Sequence, residues 1–145
     1  MMPRRRVTVL AFCAALSGCV PYPVYKELQP ATRVRVVDPA GRAVAGAGAS
    51  VVLLSIAYPY GREQHRETRA TDASGVVSFD GRHEWRVEWL VIHGSQQFFW
   101  NLCVAKPGYT THLTEHRSAE RFEADPTVVL AAGLSSACPS REENH

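Results

Sequence analysis

The chain of 145 residues carries 16 lysines and arginines against 14 aspartates and glutamates, and 46% of its residues are hydrophobic. This length fits one globular domain of ordinary size and excludes two full domains. The near balance of charge leaves no basic field that would attract a polyanion, so no nucleic-acid partner is expected.

The first nineteen residues have the layout of a secretory signal peptide. Arg4, Arg5 and Arg6 precede an apolar run of about ten residues, which is too short to span a bilayer because a spanning helix needs roughly 20. The run ends in Leu-Ser-Gly-Cys at residues 16–19. These four residues resemble the lipobox of bacterial lipoproteins. The alternative is an ordinary secretory leader with a chance cysteine near its end.

The lipobox resemblance implies cleavage after residue 18, with Cys19 as the lipidated first residue of the mature chain. It also implies a membrane-anchored protein. Val20 follows the cysteine where an aspartate would favour inner-membrane retention, so the expected location is the outer membrane, facing the periplasm. Cleavage removes three arginines and no acidic residue, which leaves 13 basic against 14 acidic side chains.

The cysteines predict one disulfide in the mature chain. Cleavage removes Cys13 and lipid occupies Cys19, which leaves Cys103 and Cys138. Two remaining cysteines in an oxidising compartment most economically pair with each other. Two separate thiols are the alternative.

Residues 19–31 hold three prolines and show no apolar periodicity, which predicts an extended tether after the lipidated cysteine. Tyr22 and Tyr25 lie in this tether and could rest at a membrane interface, although tyrosines in linkers are more often incidental.

The β-sandwich is predicted to occupy residues 32–132. Val34 and Val36 alternate with Arg33 and Arg35, as a half-buried strand requires. The polar residues 62–69 predict an exposed hairpin arm. Residues 133–145 are predicted to form a polar tail. Short strands without a convincing amphipathic helix predict an all-β, seven-stranded antiparallel β-sandwich. The seven predicted strands are residues 32–38, 46–56, 76–79, 84–92, 97–105, 109–113 and 127–131.

Three motifs occur in order within these strands. Residues 36–47 read V-x-D-x-x-G-x-x-V-x-G-A, residues 71–79 read T-D-x-x-G-x-x-x-F, and residues 106–109 read K-x-G-Y. Together they resemble the carboxypeptidase regulatory-like, transthyretin-related β-sandwich domains over about residues 33–113. The resemblance implies a non-catalytic folding, spacer or adhesive module. The tryptophan-rich segment 85–100 and the added tail depart from it.

That aromatic segment is a candidate binding site. Trp85 and Trp89 alternate on one predicted strand, and Phe98 and Trp100 on the next, so cross-strand contact could bring the four rings together. They could fill the core, where tryptophan buries a large area. They could instead form an exposed patch for a protein partner, a peptidoglycan sugar or a lipid.

Histidines near predicted turns offer the rival candidate, a small metal-binding or hydrolytic periplasmic protein. His65, His83 and His93 could meet at one edge, and His112 and His116 have a helical spacing that suits a metal. Solvated loop histidines are the simpler interpretation.

The sequence contains no G-x-S-x-G, P-loop or G-x-G-x-x-G motif. We therefore expect no catalytic residue, no metal and no cofactor. The predicted function is a lipid-anchored, non-catalytic binding or structural module of the cell envelope. Its expected partners are the membrane, through the anchor, and envelope proteins or peptidoglycan.

Overall fold

The computed structural model describes residues 21–56, 60–89 and 96–140, and of Trp89 the backbone alone. This part of the chain is all-β, as predicted, apart from one 3-10 turn at Ala119–Arg121. Its nine strands are β1 (Pro21–Gln29), β2 (Thr32–Val37), β3 (Gly48–Ser55), β4 (Glu63–Ala70), β5 (Val76–Phe79), β6 (Arg82–Trp89), β7 (Phe98–Ala105), β8 (His112–Leu113) and β9 (Thr127–Val129).

The strands form three sheets, ordered β1-β6, β5-β2-β9 and β4-β3-β7-β8. The chain divides into two compact units. The smaller unit takes in the chain up to Lys26 together with residues 84–95, so its described part is a ribbon made of the first part of β1 and most of β6. The larger unit holds Glu27–His83 and Gln96–His145, with the three-stranded and four-stranded sheets.

The centre of the four-stranded sheet is the antiparallel pair β3–β7, in register from Gly48 opposite Ala105 to Ser55 opposite Phe98. Successive side chains of a strand point to opposite faces of its sheet. Almost every residue of both strands is nevertheless buried, so this sheet is covered on both faces. Strands covered on both sides read as continuous apolar runs rather than as alternating ones.

One hydrophobic core is shared by the two sheets of the larger unit. The three-stranded sheet contributes Val34 and Val36 from β2, and the four-stranded sheet contributes Val51 and Leu53 from β3. The predicted alternation of β2 is therefore confirmed. Further members of the core are Val77, Phe79, Phe98, Trp100, Leu102, Val104, Val128 and Leu130.

The described chain has nine strands where the sequence predicted seven. The first addition, β1, falls in the predicted tether. Proline cannot donate a ladder hydrogen bond, but an edge strand tolerates it, and β1 is paired on one side, with β6. The second addition, β4, falls in the predicted hairpin arm. It is an edge strand of charged residues, a composition that protects sheet edges from pairing with other chains.

The pairing also departs from an all-antiparallel arrangement. β2 lies antiparallel to β5 but parallel to β9, with Val36 opposite Val128. A parallel partner must come from a distant part of the chain, because a parallel pair needs a long crossover connection. Local sequence patterns carry no signal for such a pairing.

The two aspartate turns of the motifs have closely similar geometry. Asp38 Oδ1 accepts hydrogen bonds from the amides of Ala40 and Arg42, both at 2.9 Å. Asp72 Oδ1 accepts from the amides of Ser74 (2.8 Å) and Val76 (2.9 Å). An aspartate that bonds its own backbone a few residues on fixes a turn. The motif residues are therefore explained by local structure.

These hydrogen bonds predict an acid-dependent loss of stability. The Ser74 hydroxyl and the Val76 amide hold the pKa of Asp72 below its usual 3.8. A carboxyl group whose pKa is lower in the folded state stabilises the protein above its unfolded pKa, and that contribution is lost as the pH falls through the folded value. We expect Asp72→Asn, which keeps an acceptor but loses the charge, to be less stable than the wild type at neutral pH. The difference in stability between the two proteins should become smaller below about pH 4.

Urea unfolding of the wild type and of Asp72→Asn, from about pH 7 down to about pH 2, measures this effect. A constant difference between the two unfolding midpoints across that range would contradict it.

Candidate functional site

The ribbon of β1 and β6 carries an exposed aromatic pair. The rings of Tyr25 and Trp85 lie with their centroids 5.2 Å apart and their planes tilted by 49°. Tyr25 is 57% exposed, Trp85 71% and the neighbouring Val87 67%. Large apolar side chains at this level of exposure are informative when they adjoin one another, since such patches mark interaction sites.

The opposite face of the ribbon is less exposed and carries charged residues. Lys26 forms an ion pair with Glu88, and both side chains are nearly buried. Arg86 forms a second ion pair with Glu84. The even-numbered residues of β6 are therefore charged, whereas its odd-numbered residues Trp85 and Val87 are apolar and exposed. This alternation gives the ribbon two chemically different faces.

The predicted four-residue aromatic patch is not formed, because Phe98 and Trp100 belong to the core. They are 8% and 7% exposed. The Trp100 indole Nε1 donates a 2.9 Å hydrogen bond to the Leu28 carbonyl, and its ring lies 6.0 Å from that of Phe122. A buried indole needs such an acceptor. The core alternative is thus correct for these two residues.

The remaining two members of that prediction lie on β6. The described pairings join β6 to β1, and β7 to β3 and β8, so the cross-strand contact expected between the two aromatic strands does not arise from these pairings. Trp85 is exposed and contacts Tyr25 instead. The side chain of Trp89 lies outside the described residues.

The face of the four-stranded sheet that points away from the shared core has an apolar cluster of its own. Val52, Leu54 and Phe99 are buried there, with Ile56 packed against them. The Tyr60 ring stacks on Phe99 at 5.5 Å, and its hydroxyl donates to the Arg117 carbonyl at 2.8 Å. A tyrosine with an apolar ring contact and a bonded hydroxyl closes the edge of such a cluster.

A strap, residues 113–117, crosses this outer face and is held by Asn101. The Asn101 Oδ1 atom accepts from the His116 amide (2.6 Å) and from the Thr114 hydroxyl (3.1 Å), and Nδ2 donates to the His116 carbonyl (3.2 Å). The Thr114 amide also donates to the Leu102 carbonyl at 2.9 Å. Asn101 is 4% exposed. A buried amide with its hydrogen bonds satisfied adds specificity to the packing of the strap.

The predicted disulfide joins Cys103 of β7 to Cys138 of the tail, with the two Cα atoms 5.9 Å apart. Cys103 is completely buried on the outer face. The Thr111 hydroxyl donates to the Ser136 carbonyl (2.6 Å) and accepts from its amide (3.0 Å), which fixes the tail just before the bridge. The predicted polar tail is thus tied to the sheet around residues 136–139.

A small cavity of about 210 Å³ remains between the strap, the tail and the sheet. Its apolar floor includes Val52 and Leu54, and its rim includes Glu63, Arg66 and Glu115. The Arg66 guanidinium donates to both carboxylate oxygens of Glu63 (2.8 and 2.7 Å) and to the Pro139 carbonyl (2.6 Å), so its donors already serve the fold. Ligand pockets usually enclose about 300–1,000 Å³, so this cavity suits a few water molecules better than a substrate.

The histidines lie in different surroundings. His65 Nε2 lies 2.7 Å from Arg82 Nη1, and His83 Nε2 lies 3.7 Å from Glu27. His112 belongs to strand β8, so the helical spacing with His116 does not exist, and burial lowers the pKa of His112. His93 lies outside the described residues. Within residues 21–56, 60–89 and 96–140, no three histidine, cysteine, aspartate or glutamate side chains are placed to share a metal ion.

Comparison with known proteins gives no relative from which a function could be transferred. No family model, curated protein or solved structure matches the chain. Among the described residues, no helix has the length and apolar character to cross a membrane. Cys19 and the leader lie outside the described residues.

Two features of the outer face had no clear signal in the sequence. The strap holds no apolar periodicity, and Tyr60 lies beside a proline and a glycine that indicate a turn. The asparagine at 101, placed inside an otherwise apolar strand, was the available sign that something polar packs against this face. A buried amide requires hydrogen-bond partners, and the strap supplies them.

Proposed function

We propose that the protein is a lipid-anchored lipoprotein of the cell envelope whose β domain is a non-catalytic binding or structural module. The observation that carries the proposal is the leader, in which three arginines and an apolar run of about ten residues end in Leu-Ser-Gly-Cys at residues 16–19. Lipidation of Cys19 would then hold the domain at the membrane, facing the periplasm. More than one acyl chain is needed for stable anchoring, since a single chain binds marginally.

The disulfide supports this location independently of the leader. Structural disulfides form and persist in oxidising compartments such as the bacterial periplasm and are rare in the cytosol. Cys103 and Cys138 are 35 residues apart in the chain, and their bridge fixes the tail to the buried face of a sheet. This disulfide is therefore a structural one.

We also propose that the larger unit is a β-sandwich of the carboxypeptidase regulatory-like, transthyretin-related kind. The shared core of its two sheets supports this, as do the two aspartate turns at the motif positions. A third support is Thr71 of the second motif, whose hydroxyl accepts from the Ala47 amide (2.9 Å) and donates to the Val44 carbonyl (2.7 Å). These bonds connect the first two motifs to each other.

The packing of the larger unit supports a binding or structural role rather than catalysis. Its conspicuous polar groups serve the fold: Asn101 holds the strap, Arg66 ties Glu63 to the tail, and the two turn aspartates bond their own backbone. The exposed apolar groups of the ribbon, Tyr25, Trp85 and Val87, are suited to contact with a partner surface.

Replacing the leader cysteine tests the proposed anchor. We expect Cys19→Ala to abolish incorporation of labelled palmitate and to leave an unprocessed precursor, because the residue that carries the lipid is absent. Cys13→Ala is the matched control, since Cys13 lies in the same leader and should label normally. Palmitate labelling that persists in Cys19→Ala would exclude lipidation at this residue.

Crosslinking in living cells, followed by mass spectrometry of the captured material, tests the binding role. We expect reproducible adducts with an envelope protein or with peptidoglycan. Recovery of the protein uncrosslinked under conditions that capture other envelope lipoproteins would count against a binding module and favour a purely structural one.

A further inference from the structure

We propose that the exposed aromatic face of the β1–β6 ribbon lies on the surface of the bilayer that holds the lipid anchor. This aromatic face is defined by Pro21, Pro23, Tyr25, Trp85 and Val87. The inference rests on the proposed lipidation of Cys19, and it adds a second membrane contact made by the folded chain itself.

The proposed anchor and the ribbon are separated by a short stretch of chain. Strand β1 begins at Pro21, two residues after Cys19. Two residues of fully extended chain span at most about 7 Å. The interfacial region of one leaflet is itself about 5–7 Å thick, the difference between the whole bilayer and its hydrocarbon core shared by two leaflets. A lipid on Cys19 therefore brings the start of the ribbon to the headgroups.

The aromatic face has the residue types that favour a membrane interface. Tyrosine and tryptophan are enriched at membrane interfaces because their rings have an apolar body and a polar tip. Tyr25 and Trp85 contact each other, and both are more than half exposed, as is Val87. The two prolines add apolar surface whose backbone nitrogen needs no hydrogen-bond acceptor.

Four charged side chains of the ribbon lie on its other side. Lys26, Glu84, Arg86 and Glu88 occupy even-numbered positions and pair with one another, away from the aromatic face. A ribbon lying on the headgroups by its aromatic face would therefore bring none of these four charges toward the hydrocarbon. Glu27, which lies on the same side of β1, comes after Tyr25, at the end of the strand away from Cys19. This is the arrangement that an interfacial element requires, since burying a charge in lipid is costly.

Tryptophan quenching by brominated lipids tests the contact. The mature, lipidated protein is placed in vesicles of phosphatidylethanolamine and phosphatidylglycerol whose acyl chains carry bromine. Trp89→Phe serves as the background, so that the remaining tryptophans are the exposed Trp85 and the buried Trp100. We expect bromine to quench the emission in this background. We expect the quenching to disappear when Trp85→Phe is added.

A second measurement separates the aromatic face from the anchor. The mature chain made without lipid is titrated with the same vesicles. We expect Trp85→Ser to lower its partition constant roughly tenfold, about the effect of removing one large apolar side chain from the contact. Leu134→Ser is the matched control, because Leu134 is 94% exposed but lies in the tail. It should bind like the wild type.

The possible failures are distinguishable. If mass spectrometry finds no lipid on Cys19, the proposed anchor fails and the docking inference fails with it. If Cys19 is lipidated but Trp85 remains unquenched by bromine and open to aqueous iodide, the anchor stands and the docking inference is wrong. The inference is equally wrong if Trp85→Ser leaves vesicle binding unchanged and dissociates a dimer of the mature chain, because the face would then be an interface between copies.

Discussion

Cys138→Ser is expected to lower the free energy of unfolding by about 3–4 kcal/mol. The bridge closes a loop of 35 residues. A crosslink over such a loop lowers the entropy of the unfolded chain, which stabilises the folded state by roughly 3–4 kcal/mol. For a domain of this size the melting temperature should fall by roughly 10–15 °C. Thermal and urea unfolding of the mature protein measure both quantities.

Cys103→Ser should lower the free energy of unfolding by more than Cys138→Ser does. The Cys103 sulfur is completely buried, so a new hydroxyl there would have to find a hydrogen-bond partner. Cys103→Ala avoids the buried hydroxyl and should resemble Cys138→Ser. Reduction of the wild type should reproduce the loss seen in Cys138→Ser, and each single variant should show one new reactive thiol after unfolding. Wild-type protein with two reactive thiols in denaturant would contradict the bridge.

Gly75→Ala is expected to destabilise the protein by about 3 kcal/mol or more, since it combines backbone strain with a steric clash. Gly75 has a φ of 73°, and a Cβ atom there would lie 2.5 Å from the Val36 carbonyl oxygen and 3.0 Å from the Val44 amide nitrogen. The Val44 amide donates a 3.0 Å hydrogen bond to that Val36 carbonyl oxygen. A methyl group would therefore force the backbone of three segments apart.

Gly41→Ala is the matched control for this variant. Gly41 occupies the same position of the other aspartate turn with a φ of 79°, but nothing lies within 4 Å of its would-be Cβ atom. Gly41→Ala should therefore lower the free energy of unfolding by about 1–2 kcal/mol, the cost of the left-handed backbone alone. Urea unfolding of both variants measures the difference. Equal losses at the two glycines would show that the close approach of Val36 contributes nothing.

The elements that sequence patterns predicted well are those determined by local chemistry. β2 follows from the alternation of valine and arginine, and the aspartate turns follow from side chains that bond their own backbone. The disulfide followed from counting cysteines. Each of these signals needs a few neighbouring residues or a simple elimination.

The elements that were missed depend on partners distant in the chain. β1 contains two prolines that conceal a strand, and it exists by pairing with β6, more than fifty residues away. β4 has eight residues without an apolar face, because it lies at an edge and pairs along its length with β3. Pairing can stabilise a strand whose own propensity is poor.

The candidate site was partly predictable for the same reason. Alternation placed Trp85 and Val87 on one side of a strand, but it could not say which side would be covered. Phe98 and Trp100 follow the same pattern and are buried by the core. Trp85 differs because its described ring partner is Tyr25, from a segment predicted as a tether.

The mass of the amino-terminal tryptic peptide, taken from protein extracted from membranes, tests the lipid anchor at Cys19. Trypsin cuts after Lys26, so we expect a peptide of residues 19–26 whose cysteine carries a diacylglyceryl group and an acyl chain on its amino group. A peptide of residues 7–26, with the leader still attached, would contradict lipoprotein processing. A cleaved peptide 19–26 without lipid would contradict the anchor.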